Sequence, residues 1–246
     1  MLTAVDKPLL ARELRPFSDD YVLSYGPAGR LAGAERTPTV RERGFVSIAG
    51  TVAPCVPWLA AAAGVNAVID LVSSIREGET GAVASAKTIA HHALAAARLN
   101  VIYGPGALPA ALDVESKFTE SGLPAVTLHE QKELSHGRFI SVLQPPVFAL
   151  DAGFPSITEP APVLFVAAGE RSSYQQAVLA ALHGADIPIT EICSTTGELT
   201  APLELLTLVQ FFSQTFGSEL GVDISRPSMT PEAGLDLYRW PGAVQD

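Results

Sequence analysis

Short apolar runs rich in Val, Ile and Leu alternate along the chain with longer Ala-rich stretches. This alternation is typical of parallel strands joined by crossover helices, because strands buried on both faces are apolar throughout. The pattern predicts strands at residues 21–24, 45–49, 67–72, 100–103, 125–129, 163–167 and 187–192. It predicts helices at residues 54–63, 84–98, 108–120, 172–183 and 201–220. The predicted fold class is therefore α/β.

The two halves of the chain differ in regularity. From residue 100 onward, strands and helices follow one another in the order of a doubly wound parallel sheet. In the first half, residues 24–44 are polar and contain Gly, where a crossover helix of about a dozen residues would ordinarily lie. We therefore predict a shortened domain at residues 1–98 and a complete domain at residues 99–246.

Composition and net charge indicate the class of protein and exclude one class of partner. The chain has 246 residues, of which 48% are hydrophobic and 17% charged, as expected of a globular protein with a buried core. A net charge of −10 opposes binding to a nucleic-acid backbone, which requires clustered Lys and Arg. The net charge does not exclude binding of a phosphorylated small molecule, because backbone N–H groups at a helix N-terminus supply local positive potential whatever the net charge.

The sequence also predicts a compartment. It contains two cysteines, Cys55 and Cys193, and its first residues lack the basic-then-apolar pattern of a secretion signal, so we expect a cytoplasmic protein. The longest apolar run, residues 52–68, is interrupted by Pro54 and Asn66. We therefore expect no membrane segment.

Candidate chemistry first appears where the predicted strand at residues 125–129 ends. The sequence AVTLHEQKELSHGRF continues there into a polar loop that holds Glu133 and His136 beside Gly137. Proteins with α/β folds place reactive side chains at the carboxyl ends of strands. Taken alone, the loop fits a solvated connection with a helix cap equally well.

Three segments of the second half belong together. IYGPGALPAALDVESKFTESG carries Gly104 and Gly106 in a turn and Glu120 at the end of a helix, KELSHG carries His136, and TAPLELLTLVQFFSQTFGSELGVDISRP forms the last helix. Together they resemble the tandem SIS (sugar isomerase) domain family, over residues 100–227. The resemblance implies a shortened SIS-like domain followed by a doubly wound parallel-sheet SIS domain. It also implies that Gly104 and Gly106 bind the substrate.

Shorter segments of the first half are also similar to this family. FVSIAGTVAP is similar to its phosphate loop, which implies phosphate binding by Ser47, Gly50 and Thr51. Hydroxyl groups donate hydrogen bonds to phosphate and Gly lets the backbone approach closely. Ala49 stands where the family has a second serine, and an ordinary buried strand followed by a helix beginning at Pro54 fits the segment equally well.

The segment VASAKTIAHHAL is similar to the helix that closes the first SIS domain, which implies substrate contacts for Ser85 and Lys87. The sequence GET just before it is interpreted as the closing turn of that domain, marked by Glu79. His91 and His92 lie on the same predicted helix without a carboxylate or cysteine at ligand spacing. We expect no metal site and no cofactor.

The resemblance implies a function: proton transfer between C1 and C2 of a hexose 6-phosphate, as an isomerase or an amino-sugar-phosphate deaminase, with Glu120 as the base and His136 assisting ring opening. The predicted topology places these two side chains at opposite edges of the sheet, so we expect a site shared between domains or subunits, and a homodimer. The family's C-terminal lysine is missing here, and Arg239 cannot readily shuttle a proton. The alternative is a non-catalytic protein that binds a sugar phosphate.

Overall fold

A computed structural model of the chain describes residues 62–143 and 160–224, with Cys55, Leu59 and three short strands near the N-terminus. These strands are β1 (Leu2–Thr3), β2 (Leu23–Ser24) and β3 (Glu35–Arg36), and they pair in parallel in that order. The predicted strand at residues 45–49 lies outside the described residues, as do the candidate phosphate ligands Ser47, Gly50 and Thr51.

One long helix, α1 (Val65–Ala95), replaces two predicted features. The predicted strand at residues 67–72 is wrong, and so is the predicted turn at Glu79, because both segments are helical. Buried positions such as Leu71, Ala82 and Ile89 recur at helical spacing over the whole stretch, and this long-range pattern outweighs the local β propensity of AVIDLV. The Gly in the GET sequence has a packing role, since a Cβ on Gly78 would lie 2.9 Å from a methyl carbon of Leu208.

The second half builds one parallel sheet of four strands, as predicted, with bounds that differ from the predicted ones by two residues at most. The strands are β4 (Arg98–Tyr103), β5 (Ala125–Glu130), β6 (Val163–Ala168) and β7 (Ile189–Ser194), in the spatial order β5-β4-β6-β7. The chain first steps from β4 to β5 and then returns to the other side of β4. The strand order therefore reverses between β4 and β6.

Helices cover both faces of this sheet. Three confirm the prediction: α2 (Leu108–Ser121), α5 (Ser173–Gly184) and α6 (Ala201–Glu219). The predicted polar loop after β5 is instead mostly helical, with α3 (Gln131–Glu133) and α4 (Phe139–Leu143) joined by a kinked turn. Helices α1, α2 and α6 pack on one face of the sheet, and α4 and α5 on the other.

The larger part of the core lies beneath α1, α2 and α6. Phe118 of α2 packs against Phe212 and Phe216 of α6, with ring centroids 6.4 and 4.7 Å away. Each of these rings is fully buried, a contribution of about 2 to 3 kcal/mol apiece. The second half of α1 adds Ile89 and several alanines to the same core. The division of the chain at residue 98 stays a prediction.

Candidate functional site

The reversal of strand order brings two turns together at the carboxyl edge of the sheet. One follows β4 and contains Gly104 and Gly106, and the other follows β6. Gly106 has φ 75°, and a Cβ placed on it would lie 3.5 Å from Cβ of Ala168, so the two turns are neighbours. Helices α2 and α5 both begin here, and ligands of doubly wound sheets bind at such a reversal point.

Polar side chains hold this edge in a fixed arrangement. Gln175 Nε2 donates to Gln131 Oε1 at 3.0 Å, and the Tyr174 hydroxyl donates to the carbonyl oxygen of Gln131 at 3.1 Å. Ser172 caps α5, since its Oγ accepts from the backbone N–H of Gln175 and its own N–H donates to Gln175 Oε1. A Cβ on Gly104 would lie 3.0 Å from both amide groups, so any larger residue here would displace the two Gln side chains.

A buried carboxylate closes the loop after β7. Glu204, in the first turn of α6, is 1% exposed and accepts hydrogen bonds from the Ser194 hydroxyl at 2.5 Å and the Thr196 hydroxyl at 2.6 Å. Backbone N–H groups of Thr195 and Thr196 donate to it at 3.3 and 3.1 Å. Ser74 of α1 donates to the same carboxylate.

The charge state of Glu204 follows from these donors. Burial alone would raise the pKa of its carboxyl group. Hydrogen bonds from Ser194, Ser74 and Thr196, with the backbone N–H of Thr195, outweigh burial and leave the pKa below its ordinary value. Glu204 is therefore ionised at neutral pH although it lies inside the protein.

His136 occupies the kink between α3 and α4. Its backbone leaves helical geometry, and Gly137 follows with φ 95°, a conformation that favours glycine. The His136 side chain is exposed, and so are Phe139 and Ile140 directly after it, at 47% and 49%. Because the kink follows the end of β5, His136 lies at the carboxyl edge.

Glu120 lies at the other end of the sheet. It is exposed in the last turn of α2, where its carboxylate accepts from the Ser116 hydroxyl at 2.7 Å. Helix α2 runs back across the sheet and leads into β5, whose six residues span about 20 Å. One copy of the chain therefore does not bring Glu120 and His136 together.

A buried ion pair on α2 was not predicted. Lys117 Nζ lies 3.9 Å from Asp113 Oδ1, with both side chains about nine-tenths buried, and Oδ2 of Asp113 has no partner among the described residues. Burial raises the pKa of Asp113 to about 6. The positive charge of Lys117 lowers this pKa, and the negative charge of Glu120 adds to the increase. The i, i+4 spacing of Asp113 and Lys117 one turn before Glu120 is the sequence signal for this pair.

The two α1 residues predicted to contact the substrate differ in exposure. Ser85 is buried and its hydroxyl donates to the backbone carbonyl of Glu191 in β7 at 3.4 Å, whereas Lys87 is exposed. The atoms nearest to a Cβ on Gly104 belong instead to Gln131, Gln175 and Val166. No group of three or more His, Cys, Asp or Glu side chains within the described ranges could hold a metal ion.

A second buried polar pair lies on the α5 face of the sheet. His129 Nε2 lies 3.2 Å from Asn100 Oδ1, and both residues are at most 2% exposed. Burial, then the charges of Arg138 and Arg98, lower the pKa of His129 to about 4. The imidazole is therefore neutral at ordinary pH, and it serves the packing of β4 against β5.

Comparisons with known proteins support the fold. No protein-family model matches the chain, and no curated protein matches its sequence. Among solved structures, it is similar to the C-terminal domain of glucosamine-fructose-6-phosphate aminotransferase from Francisella tularensis. The TM-score is 0.55 and the sequence identity 15%, over 92% of this chain and 71% of that one. The chain has an SIS-like α/β fold. Within the described ranges, no helix has the length and hydrophobicity needed to span a bilayer.

Proposed function

We propose that the protein binds a hexose 6-phosphate, or its amino-sugar counterpart, and moves a proton between C1 and C2. The observation that carries this proposal is that a chain with an SIS-like fold exposes Glu120 before β5 and His136 after it, on opposite sides of this one strand. Both side chains are exposed, so the packing of the protein does not require these two residue types. The glycine turn after β4 adds a backbone surface suited to a sugar phosphate.

The chemistry needs two proton-transferring groups after the ring opens. In the aldose, His136 would take the proton of the C1 hydroxyl and deliver a proton to the ring oxygen as the C1–O5 bond breaks. Glu120 would then take the proton from C2 and deliver it to C1. As the electron pair left on C2 forms the C1=C2 double bond of the enediol, the C1 carbonyl oxygen gains a proton. The C2 hydroxyl gives up a proton when C1 is protonated, so the isomerisation neither consumes nor releases a proton overall. In the deaminase case, one water then hydrolyses the imine at C2 and ammonia leaves.

Asp113 is a third group, beside Glu120 and His136, that would exchange protons. The charge of Glu120 is one cause of the raised pKa of Asp113, so the two carboxyl groups interact electrostatically along α2. A carboxyl group with a pKa of about 6 is partly protonated near neutrality, which suits a group that exchanges protons. Lys117 holds Asp113 in place from one turn further along the helix.

The separation of Glu120 from His136 supports a site shared by two copies of the chain. A general base must come within hydrogen-bonding distance of the proton that it removes, and one sugar cannot span about 20 Å. In the described sheet β5 is an edge strand, and Phe139 and Ile140 add exposed apolar surface beside His136. We propose a homodimer in which the His136 of one copy approaches the Glu120 of the other.

The test combines turnover with binding. Fructose 6-phosphate, glucose 6-phosphate and glucosamine 6-phosphate are each assayed for conversion and for a ligand-induced rise in melting temperature. Glu120→Gln should remove most of the turnover and keep the thermal shift, because it deletes the base and preserves the shape. A thermal shift without any conversion would leave a sugar-phosphate-binding protein. No shift with any of the three would refute the proposed ligand class.

A further inference from the structure

The carboxylate of Glu204 is buried, and no cation within the described residues pairs with it. Among the described residues, the ion pairs join other side chains, and none involves Glu204. A buried charge normally requires a partner of opposite sign, unless several oriented donors replace its hydration shell. Hydroxyl and backbone N–H groups do so here, and they come from two separate parts of the chain: the loop after β7 and helix α1.

This donor set is not the ordinary cap of α6. A capping side chain accepts from the backbone N–H groups of its own helix, and the residue at the N-cap position of α6, Thr200, makes no such side-chain bond. Glu204 instead accepts from Thr195 and Thr196, which precede the helix, and from Ser74. The donors therefore converge on the carboxylate from outside α6.

The loop has the composition of an anion-binding nest. Two successive backbone N–H groups, of Thr195 and Thr196, point at one acceptor group, with the hydroxyls of Ser194 and Thr196 beside them. It lies at the carboxyl end of β7 and the N-terminus of α6, where the helix dipole also favours an anion. Such an arrangement binds phosphate or carboxylate when it is open to solvent.

We propose that residues 194–196 form an anion site that the chain fills with its own carboxylate. Glu204 acts there as a positioning residue: it binds Ser74 and so fixes the first half of α1 against the loop after β7. Ser74 Oγ also lies 2.7 Å from Thr195 Oγ1, so helix and loop are tied by the same cluster. A ligand phosphate is then excluded from this loop, and a small carboxylate enters it only when the Glu204 side chain is removed.

The experiment is chemical rescue of Glu204→Ala. We expect the melting temperature of this variant to fall by roughly 5 to 10 °C, because several donors lose their acceptor together. Sodium formate should restore part of that loss by binding in the vacated position, while sodium chloride at the same ionic strength should not. Wild-type protein should show no difference between the two salts. The control is Glu198→Ala, an exposed residue just before the helix, which should lose no stability and show no formate effect.

Two results would overturn the proposal: Glu204→Ala as stable as the wild type, or formate raising the melting temperature of both proteins equally. If Glu204→Ala yields no folded protein, Ser74→Ala decides the matter by hydrogen exchange. That variant should speed amide exchange in the first three turns of α1 by roughly tenfold and leave the strands unchanged. Unchanged exchange in those turns would show that Glu204 does not hold α1.

Discussion

Replacing Asp113 with Asn should change how the stability of the protein depends on pH. In the folded state burial raises the pKa of Asp113 to about 6, whereas an unfolded aspartate titrates near 3.9. The folded state therefore binds this proton more tightly, and ionisation of Asp113 costs stability. The penalty is absent below about pH 4, grows as the pH rises, and is complete above about pH 6.

The magnitude follows from the two pKa values. Between about pH 4.5 and 7.5, a shift of this size corresponds to about 1 to 2 kcal/mol of lost stability. Urea unfolding followed by circular dichroism at four pH values in that range measures it for both proteins. Asp113→Asn lacks the titrating group, so its stability relative to the wild type should improve by that amount as the pH rises.

A non-titrating control separates this effect from general destabilisation. Leu112→Ala changes an exposed neighbour on the same helix and should leave the shape of the pH curve unchanged. Parallel curves for Asp113→Asn and the wild type would refute the raised pKa. Its role as a partly protonated group near Glu120 would then fall as well.

Two further predictions concern packing. Phe212→Ala empties a fully buried position between Phe118 and Phe216. It should lower the free energy of unfolding, measured in urea melts, by about 3 to 5 kcal/mol. A loss below about 1 kcal/mol would contradict the described core. Gly217→Ala places a Cβ 2.5 Å from Ile224 Cγ2 and 2.8 Å from the Val222 carbonyl oxygen, which should cost about 1 to 3 kcal/mol. The matched Gly81→Ala, which meets nothing within 4 Å in α1, should instead stabilise by about 0.5 to 1 kcal/mol, and a loss there would argue against the helix.

Periodicity was sufficient to predict the sheet, three whole helices and residues 84–95 of α1. Strand β6 is a short apolar run bounded by Pro162 and Gly169, and helices such as α6 carry their inward residues at helical spacing. Local pattern and tertiary environment therefore agree. Residues 67–72 were wrongly predicted as a strand because three of the six residues in AVIDLV are β-branched. These residues belong to α1, and α1 packs against α6, which lies more than 100 residues away in the sequence.

The candidate site was only partly predictable. Gly104 and Gly106 could be placed because a strand, a glycine turn and a helix follow one another directly. The anion nest could not, since its acceptor Glu204 and its donor Ser74 lie 130 positions apart on two different helices. Asp113 and Lys117 form an ordinary i, i+4 pair in sequence, and only their burial in the folded protein gives Asp113 its raised pKa.

The activity of a mixed dimer tests the proposed function most directly. Glu120→Gln and His136→Ala would be co-expressed with different affinity tags, and the heterodimer would be purified through both tags. If each site takes Glu120 from one copy and His136 from the other, one of the two sites in this heterodimer is intact. It should then convert the hexose 6-phosphate at about half the wild-type rate per dimer, although each variant alone is inactive. A heterodimer as inactive as its parents would contradict the shared site.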